Sequence, residues 1–298
     1  MKMDLTNCFI SRRRVVLGAL LAPAMAASAQ ASDNKAELFG VEMRGSGPDV
    51  LLVPGLASSP EVWTSLAAQL SAQHRVHLID IAGFAGRAPV ADAAPLASSL
   101  AEALAAYIAR LGLSQPAVVG HSLGGEVALM LAARHPASAG RLVVVDALPF
   151  YSLLFSPAAT VESATPGARA FRDAWLAATE PQLEAMQQAG AERLTTSAQS
   201  RAAVARWGRD SDRLTVAQAA YELAITDLRP ELARITAATT VIYAHHPSYG
   251  PVEQVDGVFA AAYQGLGHAR LVRIDHSRHF VMLDQAERFN AAVVEALR

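Results

Sequence analysis

Short apolar runs alternate with helical patterns from Glu37 to the end of the chain. Each run is rich in Val, Ile and Leu and is too short for a helix, which is typical of a buried β-strand. The predicted strands are Phe39 to Arg44, Val50 to Val53, Arg75 to Ile79, Ala117 to Val119, Leu142 to Val145, Thr240 to Tyr243 and Leu271 to Ile274. The alternation predicts an α/β fold with a mostly parallel, doubly wound sheet covered by helices on both faces.

The segment 148–230 breaks this alternation. It contains no convincing buried strand, but several helical pieces separated by Pro and Gly. Thr179 and Thr215 each have Gln three residues later, so both predict helix N-caps. The segment follows a strand at the edge of the sheet where such folds bind ligands. We therefore predict a helical lid over 148–230, inserted into a core of residues 32–147 and 231–298. A set of extra scaffold helices is the alternative.

Residues 1–31 have the pattern of an export signal. Lys2 and the run Arg12-Arg13-Arg14 precede an apolar stretch, Val15 to Ala27, which ends in small residues suited to cleavage. Gly18 and Pro23 interrupt this stretch, and it is shorter than the roughly 20 residues that a membrane span needs. The arginine run resembles a twin-arginine signal. The prediction is a periplasmic or secreted protein without a stable membrane span once the signal is removed; a general secretory signal is the alternative.

Composition limits the other partners. The chain has 298 residues, of which 52% are hydrophobic and 17% charged, so it can bury a large core. The only cysteine, Cys8, lies in the export segment, so the mature protein is expected to form no internal disulfide. Without residues 1–31, acidic residues outnumber basic ones by five. There is no basic patch, so nucleic acid is not an expected partner.

A serine stands at the junction of a predicted strand and a predicted helix, in Gly120-His121-Ser122-Leu123-Gly124. The strand Ala117 to Val119 precedes it, and the helical pattern Glu126 to Ala133 follows. The glycines provide the space that a sharp, strained turn requires. This is the G-x-S-x-G pattern of a nucleophile elbow, which predicts Ser122 as the nucleophile. A serine that caps the helix is the alternative.

Four ordered motifs together resemble the α/β-hydrolase superfamily. They are Leu52-Val53-Pro54-Gly55-Leu56, Asp80-Ile81-Ala82-Gly83-Phe84-Ala85-Gly86, the Ser122 elbow and the segment Ser277 to Gln285. The resemblance covers nearly the whole chain after the signal. It implies an oxyanion hole made by the backbone N–H groups of Leu56 and Leu123, although relatives more often have His-Gly where this chain has Pro54-Gly55. The alternative for that segment is an ordinary turn.

His279 is the predicted general base, because it follows the last strand at the edge of the sheet where the elbow also opens. His276 and His279 have a spacing that could suit a metal pair, but no suitably spaced third ligand accompanies them, so no metal is predicted. His121 is expected to pack or hydrogen-bond beside the nucleophile. His245 and His246 are predicted to be loop residues.

The carboxylate that orients the histidine in the family is where this chain differs from its relatives. Relatives usually carry it after the strand corresponding to Thr240 to Tyr243, yet this chain continues Ala244-His245-His246-Pro247-Ser248-Tyr249-Gly250. Asp146, which ends the strand Leu142 to Val145, is the favoured substitute, because neighbouring parallel strands end on the same edge of the sheet. Glu253, Asp256 and Asp275 stay open as alternatives. Asp80 and Asp227 are predicted to be structural.

The serine at the elbow disfavours dehalogenase and epoxide hydrolase chemistry, in which the family uses Asp at that position. The prediction is a serine hydrolase that needs no cofactor and cleaves a carboxylic ester or lactone with an apolar part. A cofactor-free perhydrolase and a ligand-binding protein on a hydrolase scaffold are alternatives. Aromatic and Met residues of the lid predict an apolar pocket, or simply the core of the lid; they are Tyr151, Phe155, Trp175, Met186, Trp207 and Tyr221.

Overall fold

The computed structural model describes residues 37–91 and 95–298, so the predicted export signal at 1–31 lies outside the described residues. Seven strands in this part of the chain form one sheet in the order β1-β3-β2-β4-β5-β6-β7. They are β1 (Phe39–Arg44), β2 (Asp49–Val53), β3 (Arg75–Ile81), β4 (Ala117–His121), β5 (Arg141–Val145), β6 (Ala238–His245) and β7 (Arg270–Asp275). Only the pairing of β1 with β3 is antiparallel. The predicted fold class is confirmed.

Helices connect the strands and cover both faces of the sheet. They are α1 (Thr64–Leu70), α2 (Leu96–Arg110), α3 (Leu123–Arg134), α4 (Val161–Ala177), α5 (Glu180–Leu194), α6 (Ala198–Arg209), α7 (Arg213–Ile225), α8 (Val252–Ala262), α9 (Val281–Asp284) and α10 (Ala286–Ala296). Among the described residues, no helix is both long and apolar enough to span a membrane.

Side chains of the parallel strands alternate between two hydrophobic cores, as the period of a strand requires. In β2, Leu51 and Val53 point into the core formed with α2, α3 and α8, whereas Val50 and Leu52 point into the core formed with α1 and α10. Both faces of these strands are therefore buried. This explains why they read as nearly continuous apolar runs in the sequence.

The segment between β5 and β6 is helical, as predicted. It contains α4 to α7, and a 3-10 turn (Tyr151–Leu154) precedes them. Thr179 caps α5 in a capping box with Gln182, which confirms that prediction. The prediction for Thr215 is wrong. Helix α7 begins at Arg213, and the side chain of Asp212 accepts the hydrogen bond from the backbone N–H of Thr215.

His245 is the last residue of β6 and is buried, so its prediction as a loop residue is also wrong. The strand is longer than its apolar pattern because His245 pairs with Asp275 of β7 in the regular parallel register. His246 lies outside the strand, where its side chain caps a 3-10 turn (Pro247–Tyr249).

Candidate active site

Ser122 lies at a sharp turn between β4 and α3. Its dihedral angles, φ 54° and ψ −121°, are those of a strained backbone, and its side chain makes no capping hydrogen bond to α3. Two close approaches enforce this turn. A Cβ atom on Gly120 would collide with the carbonyl oxygen of Gly124, and one on Gly124 would collide with that of Val53. The elbow therefore requires glycine at both positions.

The Pro54-Gly55-Leu56 turn lies directly against the elbow. A Cβ atom on Gly55 would stand 3.0 Å from the Cβ of Ser122, so this turn has no room for a larger residue. Leu123 is the first residue of α3, where backbone N–H groups have no partner within the helix. The contact at Gly55 places the turn that contains Leu56 next to Ser122 and its neighbour Leu123. Both residues were predicted as oxyanion donors.

Asp146 leaves the sheet beside Ser122. His121 and Val145 are paired in the register of β4 and β5, so the next residue of each strand emerges at the same level. The backbone N–H of Ser122 donates to the carbonyl of Val145 (3.0 Å), and that of Asp146 donates to the carbonyl of Ile242 (2.7 Å). Asp146 also has a positive φ, 44°. Adjacent strand ends therefore supply the serine and the carboxylate.

The carboxylate of Asp146 contacts His279 directly. Its Oδ2 lies 2.7 Å from Nδ1 of His279, and its Oδ1 accepts the backbone N–H of Ala244 at 2.9 Å. The side chains of His279 and Asp146 are 20% and 13% exposed, so the pair is mostly shielded from water. This geometry leaves Nε2 of His279 available for a second partner.

The other carboxylates considered for the acid have different partners. Asp256 accepts hydrogen bonds from the hydroxyl of Tyr243 (2.8 Å) and from Arg273 (2.6 Å). Asp275 accepts from Arg273 (2.8 Å), and Glu253 is exposed in the first turn of α8. The predicted structural roles of Asp80 and Asp227 fit their contacts, which are ion pairs with Arg87 and Arg229.

His121 packs beneath His279. The two rings lie 4.5 Å apart, and Nε2 of His121 hydrogen-bonds the carbonyl of His279 at 3.1 Å. The bond requires a proton on Nε2, because a carbonyl can only accept. Burial, followed by the nearby His279, holds the pKa of His121 well below its ordinary value, so this ring is neutral. His121 thus packs and hydrogen-bonds next to Ser122, as expected, and it also supports the loop that carries His279. His276 is exposed.

Asp284 fixes the same loop from the other side, a role the sequence analysis missed. Its Oδ2 accepts the backbone N–H of Arg278, and its Oδ1 accepts the backbone N–H of Thr196, both at 2.9 Å. One carboxylate therefore joins the His279 loop to the connection between α5 and α6. Its place five residues after His279 was the only available signal.

Comparison with known families assigns the chain to one of them. The model of the alpha/beta hydrolase family matches residues 50–292, which is most of the chain. The chain belongs to the alpha/beta hydrolase family. The predicted resemblance is thereby confirmed.

Individual relatives of this alpha/beta hydrolase include esterases. The pimeloyl-[acyl-carrier protein] methyl ester esterase of Aeromonas hydrophila is 37% identical over 112 residues, which are 37% of this chain and 42% of the relative. The match thus spans less than half of that enzyme. One similar solved structure is the enol-lactonase of Burkholderia xenovorans LB400, with a TM-score of 0.70 and 22% identity over 87% of this chain and 96% of the other. Another is a thermophilic esterase of Thermogutta terrifontis, with a TM-score of 0.72 and 21% identity over 87% of this chain and 93% of the other. These likenesses show the fold.

The hydrolase has an apolar cavity of about 480 Å³ beside Leu56. Tyr151 and Phe155 line it, as the sequence suggested for the start of the insertion. Trp207, by contrast, is buried against Phe280 and belongs to the packing of the insertion. A second hollow of about 570 Å³ opens at the other edge of the sheet, where β2, β4, β5 and β6 begin. It is far from the carboxyl ends of the strands, where this class of fold binds ligands.

A buried glutamate stands on the elbow helix of the hydrolase. Glu126 of α3 is 2% exposed, and neither of its carboxylate oxygens has a hydrogen-bond partner among the described residues. Burial, and then the neighbouring Glu222 of α7, raises the pKa of Glu126 well above its ordinary value. Burial also raises that of Glu222, whose carboxylate accepts the N–H groups of Ala97 and Ser98 at the start of α2. Glu126 is therefore protonated in the folded protein over a range in which it is ionised after unfolding.

We expect Glu126→Gln to reduce the loss of stability that accompanies rising pH. The folded pKa of Glu126 is raised, so its favourable contribution is fully present below the unfolded pKa of about 4.5 and is lost as pH rises through the folded pKa. Glutamine cannot ionise, so the free energy of unfolding of the variant should rise relative to that of the wild type as pH increases above about 4.5. Urea unfolding at several pH values measures this difference. Glu184→Gln, on the exposed surface of α5, should show no such trend; parallel curves for wild type and Glu126→Gln would contradict the account.

Proposed function

We propose that this protein is a serine hydrolase that cleaves a carboxylic ester or lactone with an apolar part through an acyl-enzyme on Ser122. The observation that carries the proposal is the 2.7 Å contact between Asp146 and His279, beside a strained serine at an elbow. A carboxylate on Nδ1 selects the tautomer in which Nε2 can accept a proton.

Acylation begins when Oγ of Ser122 attacks the carbonyl carbon of the ester while Nε2 of His279 takes the hydroxyl proton. The carbonyl oxygen becomes an oxyanion, which the backbone N–H groups of Leu56 and Leu123 stabilise. The intermediate collapses as the bond to the alcohol oxygen breaks. His279 then returns the proton to that oxygen, so a neutral alcohol leaves and the acyl group stays on Ser122.

Deacylation repeats these steps with water. His279 removes a proton from the water molecule as the oxygen attacks the acyl carbonyl, and the same two N–H groups stabilise the second oxyanion. Breaking the bond to Oγ releases the carboxylic acid, and the proton on His279 returns to Ser122. The carboxylate of Asp146 stabilises the imidazolium that forms in each half of the cycle.

The names of similar proteins support ester or lactone substrates without identifying one. An esterase and an enol-lactonase stand among them. Segment 244–250 has no carboxylate, although relatives usually carry the acid there. An incomplete set of catalytic residues favours the alternative of a protein that binds a ligand without turnover. The hydrogen bond between Asp146 and His279 weakens that argument.

Turnover of neutral esters tests the proposal. Titration at constant pH measures the rate at which acid is released from methyl octanoate and from a saturated lactone. This rate should exceed the rate with heat-denatured protein by orders of magnitude. A folded protein that hydrolyses neither substrate would contradict the proposed function.

We also propose that the protein is exported, because residues 1–31 combine an arginine run, an apolar stretch and small residues. Intact-mass analysis of protein recovered from the periplasm of an expressing bacterium should show an amino terminus just after Ala29 or Ala31. Replacing Arg12 and Arg13 with Lys should block export by the twin-arginine route. A cytoplasmic protein of full length would contradict the proposal, and export that withstands this replacement would favour the general secretory route.

A further inference from the structure

The cavity beside Leu56 is shaped by small residues on two facing helices. On α4 they are Ala164, Gly167 and Ala168, and on α7 they are Ala220 and Ala224. Ala164 stands three residues before Gly167 and four before Ala168, and Ala220 stands four before Ala224, so on each helix these positions lie towards one face. Larger side chains there would fill the space. The opening between the helices is therefore a consequence of residue size, and its volume of about 480 Å³ is within the range of small-molecule sites.

The location of the cavity indicates which part of an ester, acyl or alcohol, it could hold. Its lining residues are Leu56 and residues of segments 151–171 and 220–224, so the cavity adjoins a residue whose backbone N–H is proposed to stabilise the oxyanion. His279 has to deliver a proton to the departing alcohol, which requires the alcohol to lie on the His279 side of Ser122. The acyl part then extends away from His279, and the cavity that adjoins Leu56 is the apolar space available to it.

We propose that this cavity is the acyl site and that the preferred substrates are esters of neutral, apolar acids with small or solvent-directed alcohols. The inference rests on the proposed function, since it assigns the two halves of the substrate of that reaction. Phe155 and Phe171 line the cavity and are 76% and 46% exposed, so they form its outer rim.

The lining also restricts the charge of the acyl part. No lining residue carries a charged side chain, and the polar ones are hydroxyl residues. The hydroxyl of Ser152 donates to the carbonyl of Ala224, and that of Ser163 donates to the carbonyl of Thr160. A carboxylate at the far end of an acyl chain would lose its hydration here without gaining a cation. The site should therefore discriminate against half-esters of dicarboxylic acids.

Two isomeric esters test which half of the substrate the cavity holds. Methyl octanoate has a long acyl part, whereas heptyl acetate has the same atoms with a long alcohol part. In Ala164→Leu and in Ala220→Leu, kcat/KM for methyl octanoate should fall roughly tenfold or more relative to heptyl acetate. The wild type should also prefer methyl octanoate over monomethyl suberate by roughly a hundredfold or more.

Ala170→Leu is the matched control, because Ala170 lies on α4, is exposed and does not line the cavity. It should leave the ratio of the two isomers as in the wild type. Circular dichroism establishes that each variant is folded, and the substitutions on separate helices provide two independent tests. An unchanged isomer ratio in a folded Leu variant, or equal turnover of monomethyl suberate, would overturn the inference while the hydrolase proposal stands.

Binding without turnover separates this inference from the proposed function. Titration calorimetry of methyl octanoate with Ser122→Ala should give saturable binding, which is weakened tenfold or more when Ala164→Leu is added. If no ester is hydrolysed but this binding pattern holds, the hydrolase proposal fails, and the cavity is shown to be a binding site for an apolar chain and not an acyl site. Equal affinity of Ser122→Ala for methyl octanoate with and without Ala164→Leu would refute the cavity assignment.

Discussion

Ser122→Ala should lower kcat for ester hydrolysis by about 10⁶-fold, because the variant lacks the only group proposed to form the acyl-enzyme. A residual rate above that of water is expected, since the N–H groups of Leu56 and Leu123 are backbone donors and are unaffected by the substitution. The variant should fold normally. Alanine is smaller than serine, and the hydroxyl of Ser122 makes no capping hydrogen bond that folding would lose.

Steady-state hydrolysis of methyl octanoate by matched preparations measures this effect. Ser58→Ala is a suitable control, because Ser58 is a nearby buried serine whose hydroxyl only donates to the carbonyl of Leu56. Its kcat should stay within about tenfold of the wild type. If Ser122→Ala retained more than a hundredth of the wild-type kcat, another nucleophile would have to be sought.

Asp146→Asn should lower kcat by about 10⁴-fold with little change in fold. The reason lies in the two partners of the carboxylate. Oδ1 accepts the backbone N–H of Ala244, so the amide oxygen of asparagine is held there and its NH₂ group faces Nδ1 of His279. Nδ1 would then have to accept, which moves the proton to Nε2. A histidine in that tautomer cannot take the proton of Ser122.

The carboxylates left open by the sequence provide the controls. Asp256→Asn and Asp275→Asn weaken contacts with Arg273 on the outer side of β7, so each should keep kcat within about tenfold of the wild type. The account would be contradicted if Asp146→Asn were nearly as active as the wild type, or if either control lost activity to the same extent.

Much of this architecture was predictable because burial leaves a strong signal in a parallel sheet. Strands buried on both faces are continuous apolar runs, and the glycines around Ser122 mark a turn that no larger residue fits. Asp146 was detectable for the same reason, since a carboxylate that ends a strand of valines stands out. The signal failed at His245, where the strand continues through a polar residue, and at Thr215, where Asp212 competes for the cap.

The cavity was predictable only in part. Tyr151 and Phe155 were expected to line an apolar pocket, but the Ala and Gly positions on α4 and α7 share only their small size, and small residues in helices carry no distinctive pattern. The large residues that drew attention include Trp207, which is used for packing instead. Glu126 was missed although a charged residue within the apolar helix pattern after the elbow is unusual. Its burial depends on the position of α7, which the local sequence does not specify.

Labelling with a fluorophosphonate tests the central claim most directly, because the reagent forms a covalent bond only with an activated serine. Intact mass should show one adduct per wild-type molecule, none on Ser122→Ala, and labelling slowed by orders of magnitude on Asp146→Asn. A folded wild-type protein that stays unlabelled, or a Ser122→Ala variant that is labelled as fast as the wild type, would contradict the assignment of Ser122 as the nucleophile.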